Sequence, residues 1–78
     1  MKAAIVYKDS KLINDVLDFL SEIGVNVRVF DKPAPDLEDF DFIVSIGGDG
    51  TILSILQAVK KCPPIFGINT GRVGLLTH

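Results

Sequence analysis

The chain has 78 residues, 47% of them hydrophobic and 23% charged, with a formal net charge of −2. That length holds at most one small domain, burying roughly 60–65% of its unfolded surface, and the apolar content excludes a disordered tail. An acidic balance with no cluster of Lys or Arg argues against a nucleic-acid or membrane-surface partner.

Residues 3–7, Ala-Ala-Ile-Val-Tyr, form a continuous apolar run of strand length, as expected for a strand covered on both faces. The run is too short for the apolar region of a signal peptide and far too short to span a bilayer, so the chain reads as cytoplasmic. Asp9 or Ser10 is placed to cap a helix whose Leu12, Ile13, Val16, Leu17, Leu20 and Ile23 fall on one face. Gly24 ends that helix. Val25, Val27, Val29 and Phe30 then predict a second strand, with Asn26 and Arg28 alternating outward as on a strand near the sheet edge.

The stretch 31–41 carries Pro33, Pro35 and five acidic residues, Asp31, Asp36, Glu38, Asp39 and Asp41. With no His or Cys among them, they read as a solvated connector with one helical turn rather than a metal site. Asp31 follows the second strand, where dinucleotide folds place a ribose-binding acid. The first strand-to-helix turn, residues 7–10, lacks the glycines that such a fold requires.

Residues 42–46, Phe-Ile-Val-Ser-Ile, predict a third strand. The second helix begins near residues 49–51 and is expected to run to about Lys61, with Ile52, Ile55, Leu56 and Val59 inward and Lys60-Lys61 complementing its C-terminal dipole. Pro63-Pro64 close it, and residues 65–68 make a fourth strand. Cys62, the single cysteine, has no internal disulfide partner and suits a reducing compartment as a buried, inert thiol. Strands alternating with crossovers predict an α/β fold, a parallel Rossmann-like sheet of about four strands with flanking helices. We expect strands one and three to lie side by side.

Two glycine-rich stretches carry the chemistry. Gly47-Gly48-Asp49-Gly50-Thr51 sits where strand three hands over to helix two, a junction at which glycines let the backbone approach a ligand and helical N–H groups face a phosphate. A carboxylate repels phosphate, so Asp49 needs another reason to be there; capping the helix is one. The second stretch, Asn69-Thr70-Gly71-Arg72-Val73-Gly74-Leu75-Leu76-Thr77-His78, leaves strand four at the carboxyl edge of the sheet, where open parallel sheets bind ligands. Asn69 suits a turn, Arg72 a solvated loop as well as a phosphate, and His78 has no evident partner.

Together these two stretches resemble the N-terminal domain of ATP-dependent NAD kinases, especially archaeal ones, in order and spacing over nearly the whole chain. The pentapeptide alone also resembles the turn of diacylglycerol and sphingosine kinases. Those lipid kinases tend to carry an Asn-Glu pair soon afterwards, where this chain has Ile52-Leu53-Ser54 and then Asn69-Thr70-Gly71.

The resemblance implies transfer of the ATP γ-phosphoryl group to the 2′-hydroxyl of the NAD adenosine ribose, giving NADP. Asp49 would then accept the hydroxyl proton. Gly48 and Gly50 would admit the dinucleotide or the phosphates, Thr51 would brace the turn, and Arg72 would face a phosphate. Leu75, where the family usually has Phe, would supply apolar contact without aromatic stacking. Magnesium would accompany ATP, although the chain shows no metal-ligand cluster.

Two departures qualify the resemblance. Ser54 stands where some members carry a basic side chain. The family enzymes are also longer, with a second, β-rich domain and homo-oligomeric assembly. The chain therefore reads as the N-terminal domain of a two-domain kinase, residues 1–78, inactive by itself, with Val73, Leu75 and Leu76 left as an uncovered apolar tail. The readings set against it are a non-enzymatic nucleotide-binding module and a lipid kinase fragment.

Overall fold

A computed structural model of the chain describes residues 1–68. Four parallel strands, β1 (Lys2–Tyr7), β2 (Asn26–Phe30), β3 (Phe42–Ile46) and β4 (Ile65–Ile68), form one sheet in the order β2-β1-β3-β4. Helix α1 (Ile13–Glu22) joins β1 to β2, a 3₁₀ helix (Pro35–Asp39) lies between β2 and β3, and α2 (Asp49–Ala58) joins β3 to β4. Strands one and three are neighbours, as expected, and β2 lies at the edge.

The sheet separates two cores. Ala3, Ile5, Val44 and Ile46 pack with Leu20 and Val25 on the α1 side. Ala4, Val6 and Ile43 pack with Leu37, Ile55 and Val59 on the other, where the 3₁₀ helix and α2 lie. β1 feeds both clusters, which is why its interior is apolar without alternation. The register sets Ile5 opposite Val29 on one side and Val44 on the other.

Gly24 terminates α1 for a reason visible in its backbone. At φ +82° it occupies the left-handed region; its N–H donates to the Ser21 carbonyl at 3.1 Å and the next N–H, from Val25, to Leu20 at 3.0 Å. This is a Schellman motif, and its apolar pair, Leu20 and Val25, lies in the α1-side core.

Several local expectations need correction. Asp9 and Ser10 do not cap α1: the cap position is Leu12, without a side-chain bond. Asp9 Oδ1 instead accepts the Lys11 N–H at 3.0 Å, a local turn preceding the helix. Ile23 shares the α1 face of Leu12, Val16 and Leu20 as expected, yet stays exposed because the groove that this face lines is open.

Helix α2 stops at Ala58 rather than near Lys61, with Val59 already extended at φ −121°, ψ 126°. The side chain of Val59 fills the core from that position, while Leu56 faces outward, 51% exposed. Lys60 and Lys61 lie beyond the helix and act through their backbone: Glu38 Oε2 accepts both N–H groups, at 3.1 and 3.4 Å.

Nor are the connector's acids merely solvated. Asp41 Oδ2 accepts the Lys2 N–H at 2.7 Å while its own N–H donates to the Lys2 carbonyl at 2.8 Å, joining the starts of β1 and β3. Asp36 lies 3.8 Å from Arg28.

Candidate functional site

The strand order places a topological switch point between β1 and β3. Their following helices, α1 and α2, cover opposite faces of the sheet, so the loops leaving β1 and β3 diverge at the carboxyl edge and open a crevice between them. Ligands of open parallel sheets bind at such a crevice. The loop leaving β3 is the glycine turn.

Neighbouring backbone holds that turn from both sides. The Lys8 N–H donates to the Ile46 carbonyl at 2.9 Å, and the Gly47 N–H donates to the Ile68 carbonyl at 2.9 Å. Gly47 is buried at φ +153°; a Cβ there would lie 2.5 Å from Thr51 Oγ1 and 3.3 Å from Lys8 Cβ. Glycine is therefore required by the fold at this position. Thr51 braces the turn as expected, though through its backbone N–H, which donates to the Gly48 carbonyl at 3.1 Å, and through its buried side chain beneath Gly47.

Gly48 and Gly50 differ from Gly47. Neither has a positive φ, and a Cβ on either would meet nothing within 4 Å. The packing of the described residues gives no reason for glycine at these two positions, whereas close approach by a ligand does.

Asp49 is the first residue of α2, not its cap. Gly48 holds the cap position and no side chain caps the helix; with the Thr51 N–H bonded to the Gly48 carbonyl, the first-turn N–H groups of Asp49 and Gly50 stay available to an anion. Asp49 is exposed, and its carboxylate accepts no hydrogen bond among the described residues. One turn further on, the Ser54 hydroxyl donates to the Gly50 carbonyl at 2.9 Å, a local role rather than a ligand-facing one.

Sequence reasoning passed over two residues here. Lys8, on a loop set aside for lacking glycines, has its side chain against Gly47; a lysine immediately after a buried parallel strand was the available signal. Ser45, 1% exposed on β3, has a buried hydroxyl with no partner among the described residues. Its cost is about 1–3 kcal/mol, and nothing in the packing explains it.

Of the remaining expected site residues, Arg72 and Leu75 lie outside the described residues, as do Asn69, Thr70, Gly71, Gly74 and His78. The strand that leads into them ends at Ile68, hydrogen-bonded to Gly47, so the second loop departs from beside the first. Cys62 is half-buried away from the turn, next to α2-side apolar residues, and burial pushes its thiol pKa up. Among the described residues no group of three or more His, Cys, Asp or Glu side chains is arranged to hold a metal, and no helix is long and apolar enough to cross a membrane.

The family model described as the ATP-NAD kinase N-terminal domain matches residues 26–78, which include the glycine turn and the loop after β4. The chain belongs to the ATP-NAD kinase family. An NAD kinase of Archaeoglobus fulgidus is 60% identical over 78 residues, all of this chain and 31% of that protein. One of Thermococcus gammatolerans is 42% identical over 87% of this chain and 29% of its own length. The fold matches the crystal structure of the Archaeoglobus fulgidus NAD kinase in complex with ATP, with a TM-score of 0.92 over the whole chain and 31% of that structure. This ATP-NAD kinase family chain thus spans about a third of the length of the relatives it matches.

Proposed function

We propose that the chain is the N-terminal α/β domain, residues 1–78, of an NAD kinase, and that a second, β-rich domain completes the substrate pocket. The activity is transfer of the ATP γ-phosphoryl group to the 2′-hydroxyl of the NAD adenosine ribose, and the 78 residues alone are inactive. The observation that carries this reading is the environment of Asp49. Its exposed carboxylate stands at the start of an uncapped helix between two glycines that leave open space, in a chain 60% identical throughout to an NAD kinase.

Each group then has a chemical task. The Asp49 carboxylate accepts the proton of the 2′-hydroxyl and orients its oxygen for in-line attack on the γ-phosphorus. Gly48 and Gly50 bring backbone close to the nucleotide, and the first-turn N–H groups of α2 favour phosphate charge. Arg72 faces a phosphate and Leu75 supplies apolar contact to a ligand ring. With no cluster of metal-binding side chains among the described residues, Mg²⁺ would arrive with ATP, held chiefly by phosphate oxygens and water. The Rossmann-like reading of the sheet, cytoplasmic location and homo-oligomeric assembly of the complete enzyme belong to the same proposal.

The test is ATP-dependent NADP formation by the longest product of the parent gene, natural sequence against Asp49→Ala. Loss of a general base of this kind lowers kcat by about 10²–10⁴, with folding retained because Asp49 is exposed and supports no contact. Absence of NADP formation by the natural protein would leave a nucleotide-binding module in place of the kinase; phosphorylation of a lipid in preference to NAD would make it a lipid kinase.

A further inference from the structure

The crevice between the β1 and β3 loops contains a cation that the proposed chemistry has not used. Lys8 is the first residue after β1, and its N–H, bonded to the Ile46 carbonyl at 2.9 Å, extends the β1–β3 pairing to the base of the glycine turn. The Lys8 Cβ lies 3.3 Å from where a Gly47 Cβ would be, so its side chain leaves the backbone directly against the turn. It is exposed, and among the described residues it makes neither an ion pair nor a side-chain hydrogen bond. The nearby open glycines admit a ligand, but Asp49 is a fixed negative charge at the mouth of the same turn. A polyphosphate approaching it needs a positive charge that the glycines cannot supply.

We infer that Lys8 is a phosphate-binding residue of this crevice, its ammonium group taking the phosphate chain of the bound nucleotide beside Gly47 and Gly48. A flexible four-carbon stem lets a point charge reach a phosphate without fixed geometry, and the contact offsets repulsion between Asp49 and the phosphates. The inference rests on the nucleotide-kinase reading of the turn. Two phosphate chains are available to such an enzyme, the triphosphate of ATP and the pyrophosphate of NAD.

The longest product of the parent gene, as the natural protein, Lys8→Met and Lys8→Arg, separates them. Calorimetric titration with ATP, AMP and NAD needs no turnover, so it reads Lys8 even if the kinase assay of the natural protein fails. Loss of one charge-assisted hydrogen bond is expected to weaken binding of the phosphate-bearing ligand about tenfold to a hundredfold. AMP, with a single phosphate, should change far less, and Lys8→Arg should recover most of the loss. Weakened ATP binding with unchanged NAD assigns Lys8 to the triphosphate; the reverse assigns it to the pyrophosphate. Unchanged affinity for both ligands in a Lys8→Met protein with the natural melting temperature overturns the inference. So does an equal loss for AMP, which would mark a change in the pocket rather than a missing phosphate contact.

Discussion

Three glycines in four residues look alike in a sequence, yet each meets a different constraint. Gly47 is held by the fold: its φ of +153° and the 2.5 Å approach of Thr51 Oγ1 to a hypothetical Cβ leave no room for a side chain. Gly47→Ala is therefore expected to destabilise the domain by about 1–3 kcal/mol, visible as a lower urea midpoint in circular dichroism. Gly48→Ala and Gly50→Ala meet open space, so neither should lower the midpoint as Gly47→Ala does: Gly48→Ala loses only a favourable cap residue and Gly50→Ala gains helix propensity, while nucleotide affinity falls in both. A Gly47 variant with the natural midpoint would show that the turn relaxes more easily than its geometry implies. The same contrast applies to Asp49: a capping role was compatible with its place in the sequence, and the backbone assigns the cap to Gly48 instead.

At the scale of elements, the connector between β2 and β3 does more than cross from one strand to the next. Its 3₁₀ helix buries Leu37 completely in the α2-side core, presents Glu38 to the N–H groups that follow α2, and lets Asp36 approach Arg28. Composition revealed a proline-rich acidic stretch, but not that one leucine within it was a core residue; a single apolar side chain in a short turn has no period to read. Leu37→Ala is expected to cost about 2–5 kcal/mol, the range for a buried leucine replaced by alanine. In a chain of this size that is a large share of the total stability, and chemical denaturation measures it. The early end of α2 has the same origin, since extending the chain at Val59 carries its side chain into the core and presents the Lys60 and Lys61 N–H groups to Glu38.

For the whole molecule, the order β2-β1-β3-β4 pairs β1 with β3 and thereby brings Lys8 against Gly47, while α1 and α2 on opposite faces draw the two loops apart beyond that point. Among the described residues, the α1 side of the sheet is left partly open. On the α1 side an apolar groove of about 450 Å³ runs between the helix and β3–β4, with Phe19 and Ile23 on one wall and Phe42, packed edge-on to Phe66 at 5.7 Å, on the other. Phe66 is 59% exposed. Open apolar surface of this kind binds hydrophobic dyes, so the isolated 78 residues should enhance the fluorescence of anilinonaphthalene sulfonate, and Phe66→Thr should reduce the signal while far-UV circular dichroism is retained. No enhancement would mean that the groove is closed in solution.

The strands, the class of the fold and the glycine turn were all determined by local sequence, because each is written in a short run of residues: continuous apolar stretches for buried strands, helical spacing, glycines where strand becomes helix. The adjacency of β1 and β3 was expected, but the strand order was open until the sheet pairing fixed it. Family membership was legible for the same reason, the motifs keeping their order and spacing along the chain. Only the tertiary structure decided which apolar side chains of α1 and α2 are covered, where α2 stops, which glycine the fold itself requires, and that Lys8 stands beside the turn. Those properties depend on residues distant in sequence coming together, Glu38 with Lys60 or Lys8 with Gly47, and no local pattern encodes a contact whose partner lies on another element.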